Sequence, residues 1–157
     1  MLTPARVGAV PVDALRSSDG LEVMRRIISG ELPTPPIARV LPFTLSEADH
    51  GRAVFVGTPG AQLYNPMGTV HGGFAMTLLD SAMTSAIMTT LAAGQGTTTV
   101  ETKVSFVRPL SAETGPVRAE GRVVHVGARI ATAEGRLVDA GGRLYAHGTT
   151  TCLVFSL

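Results

Sequence analysis

A long stretch with almost no charge is the feature that most limits how this chain can fold. Between Arg52 and Glu101 the only formally charged residue is Asp80. Within that stretch, the largely apolar segment Gly72–Gly94 is long enough to form a helix of several turns. Such a segment must be covered by lipid or by protein, because soluble proteins rarely leave a large apolar surface in water.

The membrane is the less favourable of these two environments. An Asp at the centre of a membrane span costs roughly 2.5–3.5 kcal/mol on insertion scales. Neither end of the segment carries a Lys, Arg, Trp or Tyr that would anchor it at a membrane surface, and its serines and threonines reduce its hydrophobicity. The sequence therefore predicts a helix buried inside a globular protein or its oligomer.

The N-terminal part of the chain predicts one short helix after a loosely ordered lead-in. Residues 1–20 carry no strong hydrophobic period and form the lead-in. Asp19 as N-cap, with Glu22 three residues later, marks a helix start, and Gly30 marks its end. We expect residues 21–157 to form a single domain.

Strand patterns lie on both sides of the long helix. Residues 37–59 predict two strands joined by a polar turn at 47–51, and a loop leads from there into the helix, which ends at Gly94. In the strand after the helix, period-two alternation places Val100 and Thr102 on one face. The strand-like runs after the helix are 98–107, 117–126, 129–138 and 143–155. This order predicts an α+β fold, with one antiparallel sheet wrapped around the central helix.

Composition excludes several classes of protein. The 157 residues suit one domain, and the 45% hydrophobic content is enough for a real core. A net charge of +1 and 4% aromatic residues argue against a nucleic-acid partner. The single cysteine, Cys152, predicts a reducing compartment, and with no convincing targeting segment we expect a cytoplasmic protein with no membrane partner. The four histidines lack the spacing of metal ligands, so we expect no metal.

Two features of the charge-free stretch point to chemistry. A carboxylate within an apolar helix is costly to bury, so Asp80 needs a partner or a purpose; the alternative is a structural Asp that faces solvent or caps a neighbouring segment. Ahead of the helix, the segment from Asn65 to His71 delivers Gly72 and Gly73 to the first turn, where backbone N–H groups lack intrahelical acceptors. Glycine lets a substrate oxygen approach such donors, as an oxyanion hole requires, although an ordinary glycine-rich helix entry has the same composition.

Together these features resemble the hotdog-fold acyl-CoA thioesterases of the phenylacetate-degradation (PaaI) type. That family shows an N-x-x-G-x-x-H-G-G loop and an Asp or Glu eight residues beyond the first glycine of the pair, as Asn65–Gly73 and Asp80 do here. The resemblance extends over most of Leu21–Phe155. It implies the hotdog fold, in which an antiparallel sheet wraps around one helix.

The resemblance also implies roles for individual residues. Gly72 would supply the oxyanion-hole amide, and Asp80 would act on the thioester as base or nucleophile. Asn65 would help to place substrate or water, and His71 would support the loop. The implied substrate-binding positions are Gly73, Thr84, Thr99, Arg108, Pro109, Gly127 and Arg129.

The expected reaction is the hydrolysis of an acyl-CoA thioester, with a small aromatic or medium-chain acyl group, to the free acid and CoA. CoA is then part of the substrate, and no further cofactor is expected. Two alternatives stay open. An acyl-CoA hydratase or dehydratase on the same fold uses a different histidine–carboxylate spacing, and a non-catalytic acyl-CoA-binding protein would tolerate the loss of Asp80.

Helix geometry predicts an oligomer. On one regular helix, Gly72 and Asp80 lie about 12 Å apart along the axis, too far for both to surround one thioester carbonyl. Two copies related by a two-fold axis can combine Gly72 of one with Asp80 of the other. We therefore expect a homodimer with two shared sites, and a dimer of dimers, or homotetramer, as the assembly that the resemblance implies.

Overall fold

The computed structural model describes residues 6–157 as an antiparallel sheet curved around a central helix. The α-helices in this range are α1 (Val12–Ser17), α2 (Gly20–Ile28) and α3 (Gly72–Met88). The strands are β1 (Phe43–Asp49), β2 (Arg52–Gly57), β3 (Gln95–Phe106), β4 (Val117–Val126), β5 (Ile130–Asp139) and β6 (Leu144–Ser156). Short 3₁₀ helices at Pro36–Arg39, Ala61–Leu63 and Ala112–Thr114 lie in the connections.

The sheet has the strand order β1-β2-β4-β5-β6-β3, and all of its neighbouring pairs are antiparallel. The predicted fold is thereby confirmed: one antiparallel sheet encloses α3, as in the hotdog architecture. Strand β3 lies at one edge of the sheet and pairs within the chain with β6. Its other edge therefore presents backbone groups that no neighbouring strand of this sheet pairs.

The core lies between α3 and the concave face of the sheet. Leu78, Leu79, Met83 and Ile87 of α3 are fully buried there. The helix lies so close to the sheet that a Cβ atom added at Gly121 of β4 would overlap the Ala82 carbonyl. Glycine is required at such a position because any side chain would push the helix away from the sheet.

Helix α3 ends earlier than the sequence predicts, at Met88 and not at Gly94. The hydroxyl of Thr89 donates to the Ala86 carbonyl at 2.6 Å, and that of Thr90 donates to the Ile87 carbonyl at 2.7 Å. These side chains take carbonyls that a continuing helix would need, so the helix stops there. No helix within residues 6–157 is both long enough and apolar enough to cross a membrane.

The lead-in is more regular than the sequence predicts. Residues 1–5 lie outside the described part of the chain, but the expectation of loose order is wrong for residues 6–20. They contain α1, and the Leu15 carbonyl accepts a hydrogen bond from the Gly94 amide at 2.9 Å. The predicted cap of α2 is confirmed, because the Asp19 side chain accepts from the Glu22 amide at 2.8 Å. A long-range backbone hydrogen bond such as the one from Gly94 produces no hydrophobic periodicity, so the sequence does not predict α1.

The hairpin between β1 and β2 is tighter than the predicted turn at 47–51. Strand β1 continues to Asp49, which pairs with Arg52. The turn is therefore the dipeptide His50–Gly51, and the positive φ of 76° at Gly51 is the conformation that such a turn needs. Ion pairs from Arg52 to Glu47 and Asp49 let these polar residues remain in the strand.

Candidate active site

Asp80 lies half-buried in the middle of α3, and two hydroxyls of β3 hold its carboxylate. Thr99 Oγ1 donates to Asp80 Oδ1 at 2.8 Å, and Thr102 Oγ1 donates to the same oxygen at 3.0 Å. Both bonds go to Oδ1, so the orientation of the carboxylate is fixed while Oδ2 has no donor among the described residues. A carboxylate held in this way is positioned and has one oxygen available to accept a proton or to attack a carbon.

A bulge in β3 brings both threonines to the same carboxylate. In a regular strand, residues three apart point to opposite faces. The register between β3 and β6 shifts between Thr99 and Glu101, so one extra residue is accommodated at Val100. The prediction that Val100 shares a face with Thr102 is therefore wrong: Val100 points outward and is 65% exposed. Thr102 is a site residue that the sequence did not reveal, because the bulge leaves no signal in strand periodicity.

The Thr84 hydroxyl lies behind Thr99 and contacts the Asp80 carboxylate only through it. Its Oγ1 lies 3.0 Å from Thr99 Oγ1 and 3.7 Å from Cys152 Sγ. A hydroxyl has one proton, and Thr99 gives its proton to Asp80, so Thr84 is the donor to Thr99. The two predicted hydroxyls are thus brought to Asp80, one directly and one through the other.

The start of α3 presents hydrogen-bond donors. His71 is the N-cap residue of the helix, and its Nδ1 accepts from the Gly73 amide at 2.9 Å. The Phe74 amide donates to the His71 carbonyl at 3.0 Å. The Gly72 amide precedes these two engaged amides in the helix and has no acceptor among the described residues. The Gly72 N–H can therefore donate a hydrogen bond to a substrate oxygen.

The side chain of Asn65 shapes the loop that precedes the helix. Its Oδ1 accepts from the amides of Met67 and Thr69 at 2.9 and 3.2 Å, and its Nδ2 donates to Thr69 Oγ1 at 2.9 Å. All of these bonds remain within the loop. The geometry thus gives Asn65 a loop-forming part, in addition to its place beside Gly72 in the same cleft.

This cleft at the start of α3 has a volume of about 400 Å³. It brings together the predicted residues Asn65, His71, Gly72, Arg108 and Pro109. Its wall also contains Tyr145, a residue that the sequence analysis did not identify; the Arg108 guanidinium lies over its ring, 5.9 Å from the ring centre. The cleft thus joins an unpaired backbone donor to a cationic side chain.

Gly127 and Arg129 lie elsewhere in the chain. They follow β4 at the end of the sheet where Ile130 pairs with Leu153. Leu153 in turn pairs with Thr98, near the start of β3, whereas Arg108 lies beyond the end of that strand. Within one chain, these two groups of predicted substrate-binding residues are therefore at opposite ends of the sheet.

Asp80 borders a second cavity, which has a volume of about 270 Å³ and also contains Thr84 in its wall. This cavity shares no lining residue with the cleft at Gly72. Gly72 and Asp80 both belong to α3, and their separation of eight positions corresponds to about 12 Å along the helix axis. One chain therefore keeps the donor and the carboxylate apart.

The environment of Asp80 differs from that of the carboxylates on the outer face of the sheet. Burial raises the pKa of Glu120, but hydrogen bonds from Arg118 and Arg52 outweigh burial and hold that pKa below its ordinary value. Hydrogen bonds from the same arginines lower the pKa of Glu47. No Lys or Arg of the described chain pairs with Asp80, whose partners are neutral hydroxyls. Within residues 6–157, no three His, Cys, Asp or Glu side chains gather into a metal-binding group.

Comparison with known proteins identifies the family. The sequence pattern of the thioesterase superfamily matches residues 67–146, which include the start of α3, Asp80 and both threonines. The chain belongs to the thioesterase superfamily. None of the curated proteins matches it significantly.

Solved structures agree with this assignment. A protein of Thermus thermophilus is 32% identical, with a TM-score of 0.67, over 75% of this chain and 96% of that chain. A phenylacetic acid degradation-related protein of Ralstonia eutropha is 29% identical, with a TM-score of 0.74, over 83% of this chain and 98% of that chain. The PaaI protein of the E. coli phenylacetic acid degradation operon shares the fold, with a TM-score of 0.69 and 24% identity over 76% of this chain and 83% of that chain. The resemblance to hotdog-fold thioesterases of the PaaI type is thereby confirmed, and it supports thioester hydrolysis as the general reaction.

Proposed function

We propose that this thioesterase-superfamily protein hydrolyses an acyl-CoA thioester, with a small aromatic or medium-chain acyl group, to the free acid and CoA. The observation that carries the proposal is the Asp80 carboxylate, which two neutral hydroxyls orient and with which no cationic side chain of residues 6–157 pairs. A carboxylate that is oriented by hydrogen bonds and not engaged in an ion pair can act as a general base or as a nucleophile. We also propose that the protein works in the cytoplasm, which the single, buried and free Cys152 supports.

The proposed reaction uses two groups of the protein. Asp80 Oδ2 takes a proton from water, and the resulting hydroxide adds to the thioester carbonyl carbon. The negative charge that develops on the carbonyl oxygen is stabilised by a hydrogen bond from a Gly72 amide. The tetrahedral intermediate then breaks its C–S bond, and the CoA thiolate leaves and recovers the proton held by Asp80. CoA departs as a product, so the proposal needs no separate cofactor or metal.

The same carboxylate oxygen serves a nucleophilic route. Asp80 Oδ2 would then add to the carbonyl, release CoA and form an anhydride that water cleaves. A single turnover in ¹⁸O-labelled water identifies the nucleophilic route when water cleaves the anhydride at the Asp80 carbonyl. Label in the Asp80 side chain requires this route, whereas label confined to the released acid fits both the base and an anhydride cleaved at its acyl carbonyl.

The experiment that tests the proposed function follows thiol release from a panel of acyl-CoA thioesters. We expect the wild-type protein to release free CoA catalytically, and the Asp80→Asn variant to bind the same thioesters with little release. A wild-type protein that binds acyl-CoA without hydrolysing any member of the panel would contradict the proposal, and would favour an acyl-CoA-binding protein.

We propose further that the site is completed by a second copy of the chain. The donor at Gly72 and the carboxylate at Asp80 line separate cavities of one chain. The edge strand β3 lies beside both: the Phe106 ring lies next to Gly72, and Thr99 contacts Asp80. A two-fold axis that pairs two β3 strands near their middle would make them antiparallel. The end of β3 beside Gly72 would then approach the end of the partner's β3 beside Asp80.

Exposed apolar side chains on β3 support this interface. Val100 and Phe106 are 65% and 52% exposed, although both lie on an unpaired sheet edge that would otherwise favour aggregation. We expect the native mass to be twice or four times the 16.3 kDa of the chain. Val100→Glu would place two carboxylates near the axis and should shift the protein toward the monomer. Val124→Glu, at a similarly exposed valine of β4, is the matched control and should leave the mass unchanged.

A further inference from the structure

The cavity beside Asp80 is mostly apolar and extends from the carboxylate toward the N-terminal part of the chain. Among the described residues that form its wall, Asp80 is the only charged one. Its apolar wall is formed mainly by Met24, Ile27, Ile37, Phe43, Leu45 and Phe55. An apolar ligand group is stabilised in this cavity because its surface is removed from water. A phosphate would find no cationic side chain among the described residues of the wall.

The two halves of an acyl-CoA have opposite chemistry, and the cavity matches one of them. The CoA half carries phosphates, which need cationic or backbone N–H partners. The acyl half is apolar and joins the reacting carbonyl directly. Because Asp80 lies in the wall of this cavity, a carbonyl next to Asp80 can extend its acyl group into the apolar space.

The volume of the cavity limits the acyl group. A protein cavity of about 150 Å³ lined by apolar side chains binds one benzene molecule. The cavity beside Asp80, at about 270 Å³, is nearly twice as large. It therefore has room for an acyl group of about six to ten carbon atoms, either a short chain or a single ring with a short linker.

Helix α2 contributes Met24 and Ile27 to the wall of this space. Its N-terminus is fixed, since the Gly20 amide donates to the Leu91 carbonyl at 3.0 Å and Asp19 caps the helix. Met24 and Ile27 lie on its inner face, partly buried against the core cluster that contains Leu45. Both precede residue 67, so they lie outside the part of the chain that matches the superfamily pattern. The matched superfamily pattern therefore does not describe this wall.

We propose that the cavity receives the acyl group of the substrate and that Met24 and Ile27 determine the longest acyl group that the protein accepts. This inference rests on the proposed function, since it assigns one cavity of that site. It also gives a role to the amphipathic helix α2, whose Met24 and Ile27 form part of the cavity wall.

Substitutions on the two faces of α2 test the inference, with kcat/KM measured for acetyl-, butanoyl-, octanoyl-, phenylacetyl- and palmitoyl-CoA. We expect the wild-type protein to prefer octanoyl- and phenylacetyl-CoA. Each buried methylene should contribute about fourfold to kcat/KM. Ile27→Phe should fill the cavity and lower the octanoyl-to-butanoyl ratio by at least about 10-fold. Met24→Ala should enlarge the cavity and raise the relative rate with palmitoyl-CoA.

The matched control is Ile28→Phe, which makes the same change on the outer face of α2, where Ile28 is 40% exposed. It should leave the acyl profile unchanged. Circular dichroism and Tm show whether each variant folds. If Ile27→Phe does not fold, Met24→Ala still tests the inference. A profile that is identical in all variants, or a wild-type preference for acetyl-CoA, would overturn the inference while leaving hydrolysis intact. Hydrolysis of no thioester at all would instead count against the proposed function.

Discussion

The start of α3 and its middle present opposite kinds of polar group. At the start, the Gly72 amide is an unpaired donor, among the described residues, in a cleft that also holds Arg108. In the middle, Asp80 is an acceptor oriented by threonine hydroxyls at the mouth of an apolar cavity. Thioester hydrolysis needs both, the donor for the oxyanion and the acceptor for the proton. Under the proposed mechanism, each region of one chain supplies half of a site.

The largest effect is expected from Asp80→Asn, which keeps the shape of the side chain and removes its ability to accept a proton. The rate of thiol release should fall by roughly 10²–10⁴. The Tm should change little, because the amide oxygen can still accept from Thr99 and Thr102. Steady-state thiol release and thermal unfolding of the same preparation check both parts. Turnover near the wild-type value would remove Asp80 from the mechanism.

A slightly smaller effect is expected at the start of the helix. Gly72→Pro removes the amide N–H at a helix position that tolerates proline, and the loss of one oxyanion donor costs roughly 10²–10³ in kcat. Gly72→Ala is the matched control, because its Cβ meets the same Phe106 ring, at 3.1 Å, but it retains the N–H. We expect the proline variant to be much slower than the alanine variant. Equal rates in the two would show that the Gly72 amide does not bind the oxyanion.

Substitution of Thr102, one of the two threonines that donate to Asp80, should lower the rate more moderately. Thr102→Val removes one hydrogen bond to a charged group, worth about 1.5 kcal/mol, so kcat should fall about 10-fold. Thr102→Ser retains the hydroxyl and should restore most of the rate. A valine variant with an unchanged kcat would mean that the orientation of the carboxylate does not depend on Thr102.

The position of Thr102 shows where sequence reasoning stops. The N-x-x-G-x-x-H-G-G loop, and the carboxylate eight residues beyond its first paired glycine, form a local pattern, so the start of α3 and Asp80 could be predicted. The contact between Thr102 and Asp80 depends on a bulge at Val100, which regular alternation hides. Likewise, the end of α3 depends on hydroxyl–carbonyl bonds at Thr89 and Thr90 that compete with apolar helix propensity.

A carboxylate outside both regions should affect stability and not the rate. Glu120→Gln loses the charge that pairs with Arg52, Arg118 and Arg122, which should lower the free energy of unfolding by about 1–3 kcal/mol. The rate of thiol release should stay within about twofold of wild type. Glu134→Gln, at an exposed glutamate of the neighbouring β5, is the control and should change neither. A large loss of rate in Glu120→Gln would show that Asp80 is not distinguished by its environment.

The same carboxylates predict how stability depends on pH. The folded protein holds the pKa values of Glu47 and Glu120 below the ordinary value of 4.5. Their contribution is therefore complete above pH 4.5 and is lost as the pH falls from there through the lowered values. Urea unfolding between about pH 7 and about pH 3 should show this loss, and Glu120→Gln should reduce it.

If Gly72 of one chain works with Asp80 of another, mixing two inactive variants should restore activity. Gly72→Pro and Asp80→Asn, each nearly inactive alone, are mixed in equal amounts under conditions that exchange subunits. Half of the dimers should then be mixed, each with one intact site and one doubly altered site, so about one quarter of the wild-type rate should return. In the reverse mixture, wild type with the Gly72→Pro/Asp80→Asn double variant, the mixed dimers should be inactive. Native mass spectrometry that shows mixed dimers, with no recovery in the first mixture and no loss in the second, would contradict the shared site.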